Sequence, residues 1–294
     1  MKKPKYPVYV ISKGRADTWL TANFLLKDKV NFRLVIEPQE YDKYAKHYDS
    51  SIIITTPFKN LGLGSIPVRN FVWEHSKSIG AKRHWIMDDN IRSIHRKYKN
   101  TRIRVNGNIG LRCCEDFTDR YTNIAISGFN YSMFVLPTTK KPYYQNCHVY
   151  SALLIKNNMP HRWRLRYNED TDLCLQVLTN NMCTISFNVF SVKKMQTMTM
   201  KGGNSDQLYK QNGRLVMART LEEIWSEYVE VKWKFGRPQH HIKNNWADFK
   251  TPLKRRTDID WEEIERKEYK MNLKAVKEIK SQELKKFYKK NKDA

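Results

Sequence analysis

Two groups of acids have the types and spacing that could do chemistry. Asp88-Asp89-Asn90 follows the apolar run 84–87 (HWIM). Two carboxylates and an amide side by side are costly neighbours unless a cation or a basic ligand neutralises them. Such oxygen donors suit Mg²⁺ or Mn²⁺ completed by substrate phosphates, and the same triplet is also ordinary turn chemistry. The second group is Asn168-Glu169-Asp170-Thr171-Asp172, placed after Arg162, Arg164 and Arg166. Its acids could cap a helix, whose N-terminal dipole favours them, or one could take a proton from a hydroxyl nucleophile. Lys13, Arg15 and Arg69 are cations of the kind that pair with a diphosphate, although each alone is also a common surface residue. His240 and His241 are a weaker signal that fits a metal ligand or a solvated loop.

The elements around these residues read as strand, helix, strand, helix, strand, helix, strand. Strands are expected at 7–11, 32–36, 51–55 and 84–87, and helices at 18–26 (with Asp17 as N-cap), 39–48 and 67–79. Short apolar strands without alternation, separated by helices, predict a mostly parallel sheet covered on both faces. In such sheets function gathers at the carboxyl ends of strands, where Ser12–Arg15, Glu37 and Asp88–Asn90 fall. Past Asn90 the alternation ends. The pattern there gives a helix at 109–117, strands at 123–127, 132–136 and 148–155, a helix opened by Asn168 and running to 178, and a strand at 183–190. A loop at 195–204, a helix at 220–229 and a polar loop at 235–241 follow.

From 251 onward the chain is mostly Lys, Glu and scattered apolar residues. Asp260 and Glu263 form a capping box before a stripe made by Trp261, Ile264, Val276, Ile279, Leu284 and Phe287. This predicts an amphipathic helix with a basic tail that includes Lys285 and Lys286. The expected organisation is one domain over 1–250, with a donor half to about 105 and an acceptor half from 106, plus an appendage over 251–294.

Charge narrows the partner. The chain of 294 residues carries a formal net charge of +24, which attracts polyanions, nucleic acid first among them. No apolar run approaches a membrane span, so no membrane partner is expected and the cytoplasm is the simplest location. The five cysteines contain no CxxC pair, which argues against a zinc ribbon or a redox motif.

The ordered series Ser12-Lys13-Gly14-Arg15, Glu37, Gly64, Arg69-Asn70, Asp88-Asp89-Asn90 and Glu169-Asp170 resembles a GT-A glycosyltransferase, with a Rossmann-type sheet. More narrowly, NEDTDLCL from Asn168, Gly202-Gly203-Asn204, Leu208-Tyr209, Gly213-Arg214 and FGRPQH ending at His240 resemble the TET/JBP-associated glycosyltransferases. That family occurs in bacteriophages and is linked to sugar transfer onto hydroxymethylated pyrimidines of DNA. The resemblance implies a UDP-sugar donor held by Ser12, Lys13, Arg15, Glu37, Arg69 and Asp88. It implies Mn²⁺ or Mg²⁺ on Asp89, Asn90 and His240, with Asn90 standing where the family of folds has an acid. Asp170, assisted by Glu169, would be the base for the hydroxymethyl oxygen of 5-hydroxymethylcytosine. Asp172, Tyr143, Trp163, Arg164, Arg237, Lys285 and Lys286 are the expected contacts to acceptor and DNA, and the location becomes the host cytoplasm. The competing readings are a GT-A enzyme with a protein or glycan acceptor, a metal-dependent nuclease and an inert DNA-binding protein.

Overall fold

The computed structural model describes residues 2–18, 20–195, 213–234 and 236–267. Lys285, Lys286 and most of the expected basic tail lie outside the described residues, as does the expected loop beyond Met195.

Four parallel strands open the fold: β1 (Val8–Ile11), β2 (Arg33–Ile36), β3 (Ile53–Thr55) and β4 (Arg83–Asp88). Between them run α1 (Leu20–Lys27), α2 (Tyr41–Ala45, entered by a 3-10 turn at Pro38–Glu40) and α3 (Ile66–Ser78). The hairpin β5 (Ile91–Tyr98) and β6 (Thr101–Val105) follows, then α4 (Gly107–Thr118), β7 (Ile124–Tyr131), β8 (Tyr143–Gln145) and β9 (Ala152–Lys156). The described chain ends with α5 (Glu169–Thr179), β10 (Cys183–Lys194), α6 (Gly213–Ile224), β11 (Val229–Lys234), β12 (Arg237–Ile242) and α7 (Trp261–Lys267). One ten-stranded sheet has the order β3-β2-β1-β4-β9-β7-β10-β5-β6, with β8 also on β10, while β11 and β12 pair separately. Pairing is parallel from β3 to β4 and mixed beyond, because β9 runs antiparallel to both β4 and β7.

Successive side chains of a strand point to opposite faces, and here both faces are buried. Val8 and Val10 of β1, Leu34 and Ile36 of β2 and Trp85 and Met87 of β4 join Phe24 and Leu25 of α1 and Leu111 and Phe117 of α4. Tyr9, Val35 and Ile86 join Val72 and Trp73 of α3 and Leu173 and Val177 of α5 on the other face. Helices thus clamp the sheet from both sides and fix the carboxyl ends of β1, β2 and β4 side by side.

The structure corrects several expected elements. Residues 132–136 are not a strand but a 3-10 turn at Ser132–Phe134, since β5 and β8 already occupy the free edge of β10. The basic stretch after Asn90 is the β5–β6 hairpin, where alternating arginines hid the apolar positions Ile91 and Ile94. The loop expected at 235–241 contains β12, and the helix expected at 220–229 ends at Ile224. Trp19, which adjoins the start of α1, lies outside the described residues; the Asp17 side chain is exposed and lies 3.5 Å from His47. Asp260 does cap α7, accepting the Glu263 N–H at 2.9 Å. Among the described residues no helix is long and apolar enough to cross a membrane.

Candidate active site

The turn after β4 carries the first acidic group, and α1 holds its backbone. Thr21 donates its hydroxyl to Asp88 O at 2.6 Å, and its N–H donates to Asp89 O at 3.2 Å. Asp88 then receives Arg69 Nη2 on Oδ1 at 3.2 Å and Lys194 Nζ on Oδ2 at 3.1 Å. Burial opposes ionisation of Asp88, but Lys194 and Arg69 outweigh it and hold the carboxyl below its usual range. Asp89 receives Arg15 Nη1 at 2.6 Å and the Ser12 hydroxyl at 2.6 Å, while burial pushes its pKa up.

The nucleotide-binding candidates form a second layer along the ends of β1 and β2. Lys13 Nζ donates to Glu37 at 2.7 Å, and Glu37 also accepts the Asn60 N–H at 2.8 Å. Gly14 turns with φ 64°, which lets its N–H reach both oxygens of Glu40 at 2.8 and 2.9 Å. The Ser12 and Tyr44 hydroxyls share a hydrogen bond at 2.6 Å.

The second acidic group opens α5, and Arg69 joins it to the first. Arg69 Nε lies 3.4 Å from Glu169 Oε1, and Ser65 donates to the same oxygen at 2.8 Å. The Arg69 guanidinium sits 4.6 Å over the Trp163 ring and is 5% exposed, so packing holds it at the junction. Asp170 Oδ1 lies 3.3 Å from His148 Nε2 and accepts the Thr171 N–H at 2.8 Å. Burial opposes ionisation there, yet His148 and then Arg69 hold Asp170 far below the ordinary carboxylate range. Its neighbour Glu169 goes the other way, raised by burial and by the Asp170 charge. His240 on β12 is pushed down to about 4 by burial and by the charge of His148.

Lys194 completes the constellation. Besides Asp88 it donates to Tyr131 Oη at 3.0 Å and Ser151 Oγ at 2.7 Å. Ser151 sits at φ 65°, a left-handed backbone uncommon for a residue with a side chain. Burial disfavours the ammonium, but Asp88 and Tyr131 outweigh it and raise the Lys194 pKa. An aromatic path runs back to the second acidic group: Tyr131 against Tyr150 at 4.2 Å, Tyr150 against His148 at 4.5 Å, His148 stacked on Trp246 at 6.1 Å.

The divalent cation implied by the resemblance does not fit this donor set. All four carboxylate oxygens of Asp88 and Asp89 already face Arg69, Lys194, Arg15 or Ser12. Asn90 Oδ1 is buried and unpartnered, a single amide oxygen. Among the described residues no three His, Cys, Asp or Glu side chains form a metal-holding group.

The family described as TET-Associated Glycosyltransferase matches residues 6–203, well over half the chain. The chain belongs to that family. It is a glycosyltransferase, and the matched span holds every site residue from Ser12 to Lys194 but not His240. No curated protein matches the sequence. Among solved structures, protein A197 from STIV shares 9% identity at a TM-score of 0.39, covering 67% of this chain and 86% of its own. Mannose-6-phosphate isomerase from Helicobacter pylori shares 8% at 0.28, with coverages of 86% and 94%. Both likenesses are too slight to inform fold or chemistry.

Several expected acceptor contacts sit elsewhere. Asp172 is fully buried, gripped by Arg164 Nη2 at 2.9 Å, Trp225 Nε1 at 2.8 Å and Gln176 Nε2 at 2.7 Å. It therefore ties α5 to the residue after α6 and cannot face an acceptor, while its partner Arg164 keeps a half-exposed side chain. Trp163 is 1% exposed and supports Arg69 from beneath. Tyr143 packs on Phe117 at 4.9 Å between ring centres. Arg237 is exposed at the tip of the β11–β12 hairpin. Lys194, Tyr131, Ser151, His148 and Ser65 were missed, because a lysine ending a strand or a histidine before one carries no signal in a single sequence.

Proposed function

We propose that this glycosyltransferase moves a sugar from a UDP-sugar to the hydroxymethyl group of 5-hydroxymethylcytosine in DNA. The observation that carries the reading is the Arg69 junction. One buried guanidinium contacts Asp88 at 3.2 Å and Glu169 at 3.4 Å, so a single side chain joins the two acidic groups, which supports one site for donor and acceptor. The net charge of +24 supports a polyanionic acceptor over a neutral glycan or protein.

On this reading Glu37 and Lys13 meet the nucleoside, while Arg15, Arg69 and Lys194 face the diphosphate. As the sugar–phosphate bond breaks, charge grows on the leaving diphosphate, and these preorganised cations stabilise it more than they stabilise the bound donor. The proposal gives that work to protein cations in place of the Mn²⁺ or Mg²⁺ that the resemblance implies. Asp170, ionised at neutral pH, takes the proton of the acceptor hydroxyl as its oxygen attacks the sugar carbon. His148, 3.3 Å from Asp170, orients the carboxylate. A hydroxymethyl group at C5 projects into the major groove, and an extruded base would bring it to Asp170.

The test measures UDP release from a panel of UDP-sugars with DNA that contains 5-hydroxymethylcytosine. Release that depends on the modified DNA is expected. Equal release with ordinary DNA points to donor hydrolysis, and cleavage of ordinary DNA would favour the nuclease reading.

A further inference from the structure

The β5–β6 hairpin has no part in the sugar-transfer site, yet it concentrates charge beside it. Residues 91–105 hold Arg92, Arg96, Lys97, Lys99, Arg102 and Arg104, and no acid. Arg92, Arg96, Lys99 and Arg104 are exposed, and Lys193 of the adjoining β10 pairs in register with Ser93. Asp28 meets Arg104 at 2.6 Å. Two groups within this surface feel the surrounding positive charge. Burial and the charges of Arg102, Lys193 and Arg104 push His95 down to about 4, and burial with Arg92 and Arg102 lowers Lys193. A surface that holds its own cations in mutual repulsion gains most from an external polyanion.

The hairpin is tied to a second feature. Lys97 Nζ donates to the carbonyls of Leu136, Pro137 and Thr139 at 2.8, 2.9 and 2.5 Å, and Arg102 donates to Ser132 O. These bonds fix the turn that displays Met133 and Phe134, 66% and 51% exposed. Phe134 stacks on Tyr131 with ring centres 5.9 Å apart, and Tyr131 accepts from Lys194 in the site. Lys97 and Arg102 thus tie the hairpin that carries the exposed cations to an aromatic ledge, and Phe134, Tyr131 and Lys194 link that ledge to Asp88. Cations on an edge strand also keep sheets from pairing, but that role explains neither Lys193 on an inner strand nor the exposed Met133–Phe134.

We propose that the exposed cations of β5–β6, Lys193 and the Met133–Phe134 ledge seat the single DNA strand that presents the acceptor base. The strand's phosphates lie on the hairpin and an unstacked base rests on Phe134, the combination that single-strand readers use. This inference rests on the DNA-acceptor reading and deepens it. It also moves the main DNA contact away from the tail that contains Lys285 and Lys286.

The full chain is titrated with fluorescein-labelled single-stranded DNA at several salt concentrations, read by anisotropy. Each neutralised phosphate adds about 0.7 to the log–log salt slope, so Arg92→Gln/Lys99→Gln/Lys193→Gln should reduce the slope by about 2. Phe134→Ala should weaken binding roughly tenfold. Lys43→Gln/Lys46→Gln, on α2 and at its C-cap at the opposite end of the sheet, should leave the slope nearly unchanged, and UDP-sugar binding should survive in all three. If wild type binds DNA and the hairpin variant keeps its slope, or if the α2 variant loses as much, the inference fails and the acceptor reading stands. If wild type binds no DNA, both fail.

Discussion

Replacing Lys194 by methionine keeps the unbranched stem, one atom shorter, and removes the charge. In the folded protein Lys194 is 11% exposed and gives hydrogen bonds to Asp88, Ser151 and Tyr131 at 3.1, 2.7 and 3.0 Å. At an effective dielectric of about 20, the Asp88 contact amounts to roughly 5 kcal/mol of Coulomb attraction, much of it offset by desolvation. Breaking a buried pair leaves the partner uncompensated at about 3–5 kcal/mol, and Arg69 still faces Asp88, so a stability loss near 3 kcal/mol is expected. The catalytic loss adds to this. Removing one preorganised donor to a developing anion costs about 10²–10³ in kcat. The assay is UDP release at a temperature where circular dichroism shows the variant folded, with and without EDTA or Mn²⁺. Wild type should be indifferent to EDTA, and Lys194→Met should lose at least a hundredfold in kcat. Wild-type turnover that stops with EDTA, or a variant within threefold of wild type, would refute the assignment of this charge to Lys194.

Other outcomes follow from the same geometry. Asp170→Asn should lower kcat by about 10²–10⁴ with donor affinity preserved, measured by titration of the UDP-sugar. His148→Ala removes the group that most depresses Asp170, so the carboxyl pKa rises and the acid limb of the kcat profile moves toward neutral pH; an unmoved limb would release His148 from this role. His84 is buried, donates to Asn157 from Nδ1 at 2.6 Å and is pushed down by burial to about 4. The unfolded chain protonates it near its ordinary value while the native protein resists, so its contribution is complete above about 6.5 and lost as pH falls toward 4. Between pH 7 and 4 wild type should lose about 3 kcal/mol more stability than His84→Gln, read from urea midpoints, and parallel curves would contradict the sign.

The parallel half of the fold was legible because β1, β2, β3 and β4 are apolar runs with loops at their carboxyl ends. That pattern also placed Ser12, Arg15, Asp88 and Asp89 together, since the sheet alone dictates their neighbourhood. What joins the two acidic groups was not legible. Ser65 meets Glu169 across 104 positions, and Lys194 meets Asp88 across 106, contacts set by the return of β10 into the sheet. Local pattern also misjudged burial: Trp163 and Asp172 look like surface recognition residues but are packed inside. In the hairpin, six cations among fifteen residues masked strands whose inner positions, such as Ile94, are buried.

The most direct test of one shared transfer site is mass spectrometry of nucleosides digested from DNA treated with a UDP-sugar and either wild type or Asp170→Asn. The account predicts a sugar-sized mass gain on 5-hydroxymethyl-2′-deoxycytidine with wild type alone. A gain of equal size with Asp170→Asn would place the base outside this pocket and contradict the account.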